Sequence, residues 1–181
     1  KNFEIVNEIL SQKNFLYYVI LASVFQIIFT FVLLHLFKFS NFVVGTSLSK
    51  TEVIQVAIFE YFILKDKLNI LGISGIIIAT LGVIIMTIKD LKLFFDNFFS
   101  KTTLIGLISG LFLGLSVVYF RAAALSLENF SSNFEKALST LFLGLVIQTF
   151  IITIYLLIFE RSEFKKLYNN KLESCLAGFA G

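Results

Sequence analysis

Long apolar segments separated by short polar links dominate the sequence. Five segments, at about 15–37, 41–64, 69–88, 103–125 and 137–159, are each long enough to cross a bilayer, and a sixth begins near 173. A span needs about 20 residues to cross a hydrocarbon core of about 30 Å. The segments show no apolar/polar alternation and are longer than membrane strands. The pattern therefore predicts an all-α fold, a polytopic bundle of transmembrane helices.

The lengths of the polar links predict how the helices are organised. The links at 38–41 and 65–68 are so short that the helices they join should be antiparallel. A second polar stretch, from Glu160 to Lys171, is predicted as a link as well. The longest link, from Lys89 to Lys101, is predicted as the boundary between two halves. This gives a first half at 1–88, a linker at 89–102 and a second half at 103–181.

Composition supports the membrane interpretation and excludes several other classes. Hydrophobic residues make up 57% of the chain and charged residues 15%, whereas soluble domains have about 25% charged residues. The net charge of +3 is spread through the links, so no nucleic-acid partner is predicted. One cysteine and one histidine exclude an internal disulfide framework and a Cys- or His-based metal site. The chain starts at Lys1 and stops inside a new apolar run, so it is interpreted as the middle of a longer protein.

Small residues form two stripes at helical spacing. Gly106, Gly110 and Gly114 follow each other at intervals of four, and a second stripe runs from Gly72 to Gly82. Such stripes let another helix approach closely. We predict tight packing at both, with a homodimer through Gly106 to Gly114 as the second interpretation of that stripe.

The second span carries the strongest candidates for a functional site: Ser49, Lys50, Glu52 and Gln55. A charge at the bilayer centre costs about 2.5–3.5 kcal/mol on insertion scales, so it usually faces a cavity or a partner. Lys50 and Glu52 point about 200° apart, while Ser49 and Gln55 share the face of Glu52. The pattern predicts a substrate or proton site, with Lys50 as a charge partner. The alternative is a buried polar network that only holds the bundle together.

Weaker candidates lie on the other spans. His35 is interpreted as interfacial, with a proton relay as the alternative, and Arg121 as extending to the headgroups, with anion binding as the alternative. Glu60 is predicted to be solvated at a helix end. The full set of weaker candidates is Gln26, Thr30, His35, Ser116, Tyr119, Arg121 and Gln148.

Motifs of soluble enzymes are absent from the sequence. It has no phosphate-binding G-x-x-x-x-G-K-[ST] loop, no dinucleotide-binding G-x-G-x-x-G after a strand, no H-E-x-x-H and no G-x-S-x-G. No enzymatic activity, cofactor or metal is therefore predicted. Any transport would be driven by an ion gradient or by a partner chain.

Residues 16–88 resemble the last three helices of an EamA-type repeat of the drug/metabolite transporter superfamily. The resemblance runs through Phe29-Thr-Phe-Val-Leu-Leu-His35, Ser40-Asn-Phe-Val-Val44, Phe62-Ile-Leu-Lys-Asp-Lys-Leu68 and the Gly-rich run from Leu71 to Val83. It implies ten helices in two inverted five-helix repeats, of which this chain holds helices three to seven and the start of eight. It also implies that substrate binds between the repeats near the midplane.

The predicted function is secondary transport of small polar metabolites, resembling amino acids, drugs or nucleotides, by alternating access in a bacterial inner membrane. Two alternatives remain open. A lipid-linked carrier or flippase subunit of the same fold would have a lipid-facing opening. A structural membrane subunit would have Lys50 and Glu52 fully paired to other helices, with no cavity.

Overall fold

The computed structural model describes residues 12–38, 52–65, 70–87, 100–127 and 132–180, and all of its regular elements are helices. The all-α prediction is confirmed for these residues. In chain order the elements are α1 (Lys13–Leu36), α2 (Glu52–Phe59) continued by a π-helical segment (Glu60–Leu64), α3 (Ile70–Thr87), α4 (Lys101–Ser126), α5 (Asn133–Phe159), α6 (Arg161–Asn169) and α7 (Lys171–Ala180).

Three of these helices, α1, α4 and α5, are long and apolar enough to cross a membrane. They have 24, 26 and 27 residues, which at about 1.5 Å per residue exceeds the roughly 30 Å hydrocarbon core. Large apolar side chains are exposed along them, as at Phe31, Leu104 and Phe142. Exposed apolar surface of this extent is suited to lipid. The chain therefore has the features of an integral membrane protein in contact with the bilayer.

Capping side chains explain why two spans begin earlier than predicted. The Ser100 hydroxyl accepts a hydrogen bond from the Thr103 backbone N–H at 3.2 Å, so α4 begins at Lys101. The Ser132 hydroxyl likewise accepts one from the Phe134 N–H at 3.3 Å, at the start of α5.

The predicted polar link from Glu160 to Lys171 is largely helical, because α6 occupies most of it. Its composition is too polar for a hydropathy pattern to reveal a helix. The first part of the predicted second span, 41–51, and the predicted linker up to residue 99 lie outside the described residues.

Helix α4 lies between α1 and α2, which contact opposite sides of it. On one side, Phe25 stacks with Phe112 at 6.1 Å and Tyr18 approaches Tyr119 at 6.2 Å between ring centroids, so α1 runs antiparallel to α4. On the other side, α2 starts near Leu107 and the π-segment reaches Arg121, so α2 runs parallel to α4. Phe112 and Gly114 are two residues apart, which places them about 200° apart around α4.

The contacts divide the chain into two units, one ending at Gly144 and the other beginning at Leu145. In the first unit, α5 approaches α1 and α4 at Gly144, whose carbonyl accepts a hydrogen bond from the Ser23 hydroxyl at 3.4 Å. In the second unit, α6 contacts α7, and the Tyr155 and Phe159 rings of α5 lie 5.3 Å apart.

The two glycine stripes differ in what approaches them. Gly106, Gly110 and Gly114 are all buried, and a Cβ added at Gly114 would lie 3.4 Å from a methyl carbon of Val56. At Gly114, therefore, α2 approaches that stripe within the chain. Gly75 and Gly82 instead have no atom within 4 Å of such a Cβ. The prediction of tight packing is therefore wrong for Gly75 and Gly82 within the described structure, because α3 contacts α2 through a different face.

These environments predict a ranking of glycine-to-alanine substitutions. A Cβ at Gly144 would lie 2.6 Å from Cε1 of Phe120, and overpacking of this kind costs about 1–3 kcal/mol. Gly114→Ala meets ordinary contacts, and Gly75→Ala meets open space and gains up to about 1 kcal/mol of helix propensity. Thermal unfolding in detergent should therefore rank melting temperatures as Gly75→Ala above Gly114→Ala above Gly144→Ala. Phe120→Leu should rescue Gly144→Ala; a Gly144→Ala protein as stable as the wild type would contradict the close approach.

Candidate functional site

Polar side chains lie at both ends of the contact between α4 and α2 with its π-segment, and we call this contact the polar seam. It runs from Glu52 and Gln55 at one end to Glu60 and Arg121 at the other. The Gln55 side-chain amide donates a hydrogen bond to the Leu107 carbonyl at 3.3 Å. Between the two polar ends, Val56 and Phe59 pack against Gly114. The seam therefore consists of two polar groups separated by a closely packed apolar layer.

The Glu52 end of the polar seam has buried polar atoms. Oε2 of Glu52 and Oε1 of Gln55 are both buried, and Oε1 of Gln55 accepts no hydrogen bond from the described residues. Glu52 lies about 18 Å along the helix from Leu64 at 1.5 Å per residue. A carboxyl group and an amide with buried oxygens can receive a polar ligand or a proton.

The other end of the polar seam is an ion pair between the Arg121 guanidinium and the Glu60 carboxylate. The prediction that Glu60 is solvated was wrong: its side chain is only 16% exposed. Arg121 was interpreted as extending to the headgroups, and its 46% exposed side chain does reach outward, but its guanidinium donates to Glu60. The pair joins the π-segment to α4 close to the end of each.

The π-helical segment begins at Glu60, the residue that forms the ion pair. A π-helix replaces the usual hydrogen bond to the fourth residue with one to the fifth, and such turns are frequent at functional sites. Val56 and Glu60 differ by about 40° in an α-helix, so both face α4. The segment ends at Leu64, and the next residue, Lys65, has a φ of 55°, in the left-handed region. This local distortion lies beside the ion pair.

Two of the candidates on α4 lie away from the polar seam. Tyr119 stacks against Phe25 of α1 at 5.6 Å between ring centroids. Ser116 is buried and less than one turn from Tyr119, on the side of α4 that faces α1. Neither residue is brought together with Glu52 and Gln55. They pack in the α1–α4 contact.

Two of the three candidates on α1 have exposed side chains. The Thr30 hydroxyl donates to the backbone carbonyl of Gln26 at 2.9 Å, one turn earlier in the same helix. Bonding of this kind satisfies a hydroxyl without any ligand. His35 is exposed in the last turn of α1, which agrees with an interfacial position. Gln26 is partly exposed, and the structure does not place any of the three on the polar seam.

The structure does not show the remaining three candidates as part of the polar seam. Gln148 lies on α5 in the second unit and is partly exposed. Ser49 and Lys50 lie outside the described residues. Among the residues that the structure describes, no group of three His, Cys, Asp or Glu side chains is arranged to hold a metal.

Sequence reasoning missed the pairing of Glu60 with Arg121, although one signal was present. Glu60 falls inside the predicted 41–64 span, four residues before its end, and an acidic residue there needs a partner or a route to water.

Comparison of the chain with protein-family models, with curated proteins and with solved structures found no match.

Proposed function

We propose that the chain is part of a secondary transporter of small polar metabolites and that the polar seam lines its substrate pathway. The observation that carries the proposal is the pair of buried side-chain oxygens on Glu52 and Gln55, beside the hydrogen bond from the Gln55 amide to α4. An unsatisfied buried amide oxygen costs free energy in apolar surroundings. A donor from a polar substrate would offset that cost at Gln55 Oε1.

The proposed mechanism is alternating access. Substrate would bind near Glu52 and Gln55, and the Glu60–Arg121 ion pair would hold α2 to α4 at one end of the pathway. Glu52 would carry a proton, so that the movement of substrate is coupled to a proton gradient. The resemblance to EamA-type repeats adds the expectation that an inverted second repeat completes the cavity.

A thermal-shift measurement tests the proposal. The protein in detergent is heated with amino acids, nucleotides or cationic drugs, one class at a time. A ligand that binds only the folded state stabilises it by about 2.7 kcal/mol at a hundredfold excess over Kd. We expect one class to raise the melting temperature and Gln55→Leu to remove that increase.

Thr30→Val is the matched control, because the Thr30 side chain is exposed and bonds within its own helix. It should respond to ligand as the wild type does. If no class stabilises a well-folded wild type, or if Gln55→Leu responds fully, the transporter proposal fails and a structural membrane subunit becomes the better interpretation.

A further inference from the structure

An apolar groove of ≈ 370 Å³ runs between α2 with its π-segment on one side and α3 on the other. The described residues that line it are apolar or aromatic: Ile54 is at one end, the buried Ala57 lies between, and Phe62 and Ile73 lie at the other end. It is separate from the polar seam, because α2 presents Val56 and Phe59 to α4 and Ala57 and Ile58 to the groove. Its rim is exposed, with Phe62 at 72%.

The length of the groove is close to that of one acyl chain. The lining residues Ile54 and Phe62 are about 12 Å apart along the helix at about 1.5 Å per residue. Half of a hydrocarbon core, the region that one leaflet's acyl chains fill, is about 15 Å thick. The groove is therefore long enough to hold most of one acyl chain.

Positive charge lies at the Phe62 end of the groove. Lys65 is exposed and follows Phe62 by three residues. A basic residue at the membrane surface attracts anionic headgroups by about 1 kcal/mol. An apolar groove below a cationic end is complementary to an anionic phospholipid, whose phosphate lies above its acyl chain.

We propose that this groove binds an acyl chain of an anionic phospholipid, with the lipid phosphate held near Lys65. The lipid would be retained beside α2 and α3 in preference to zwitterionic lipid. Neither substrate nor transport is required for this binding, so it stands or falls independently of the proposed function.

Tryptophan fluorescence can test the site directly, because the chain contains no tryptophan. Phe62→Trp places a single fluorophore at the groove, and Phe134→Trp, at a residue 75% exposed near the start of α5, is the matched control. Each variant is reconstituted in vesicles of phosphatidylcholine or phosphatidylglycerol with brominated acyl chains, which quench tryptophan on contact. We expect a relative affinity for phosphatidylglycerol of about fivefold at Phe62→Trp, as 1 kcal/mol implies. At Phe134→Trp the two lipids should quench equally.

Two further changes separate charge from shape in the Phe62→Trp background. Lys65→Asn keeps a residue that tolerates positive φ and should remove the preference for phosphatidylglycerol. Ile77→Phe, on the groove wall, should reduce quenching, whereas its neighbour Ile78→Phe, exposed outside the groove, should not. Equal preference at both tryptophan positions would overturn the proposal. So would an unquenched Phe62→Trp protein, because another protein surface, such as a second copy, would then cover the groove.

Discussion

Replacing Glu52 with glutamine is expected to abolish gradient-driven uptake while the protein stays folded. Glutamine keeps the shape of the side chain and its carbonyl oxygen, so the packing of α2 against α4 should survive. It cannot take up and release a proton near neutral pH. If Glu52 carries the coupling proton, substrate accumulation under an imposed pH gradient should fall to the level of empty vesicles. The substrate for this assay is the compound class that stabilises the wild type on heating.

Exchange of labelled for unlabelled substrate separates coupling from binding in the same vesicles. Exchange requires no net proton movement, so the Glu52→Gln protein should still exchange substrate. Glu135→Gln is the control, because Glu135 is an exposed carboxylate in the first turn of α5. It should accumulate substrate like the wild type. Normal accumulation by Glu52→Gln would remove the proton-carrying role, and loss of both accumulation and exchange would assign Glu52 to substrate binding instead.

The positions of the helices could be predicted from neighbouring residues along the chain, whereas contacts between residues far apart in the sequence could not. Hydropathy depends on composition along the chain, so α1, α4 and α5 were predicted to within a few residues of their ends. The face of α2 that carries Glu52 and Gln55 followed from the helical period. The helix that this face contacts did not follow, because the hydrogen bond from Gln55 to Leu107 joins residues 52 positions apart.

Proximity in sequence was also misleading on α4. Tyr119 and Arg121 were considered together as candidates, yet residues two apart point about 200° away from each other. The structure places Tyr119 against α1 and Arg121 beside the π-segment. Glu60 was interpreted from its position at a helix end alone, and its partner is 61 residues away. Long-range pairing of this kind decides the site, and composition carries no information about it.

The Glu60–Arg121 ion pair should respond asymmetrically to removal of its two members. Arg121→Leu leaves the Glu60 carboxylate, only 16% exposed, beside α4 with no guanidinium. Removing one partner of a buried pair costs about 3–5 kcal/mol, and partial exposure lowers that to about 2–3 kcal/mol here. Glu60→Leu should cost only about 1 kcal/mol, because the long Arg121 side chain, 46% exposed near the end of α4, can extend to the headgroups.

A double-mutant cycle in detergent unfolding measures this asymmetry. The protein with both Glu60→Leu and Arg121→Leu should be more stable than the Arg121→Leu single variant, because no buried charge is then left behind. Arg161→Leu, at an exposed arginine in α6, is the control and should change stability by less than about 1 kcal/mol. Additive single effects would show that the two side chains do not interact. If Glu60→Leu were the more costly change, Arg121 would lack a route to the headgroups, and the pair would lie deeper in the bilayer than the end of α4 indicates.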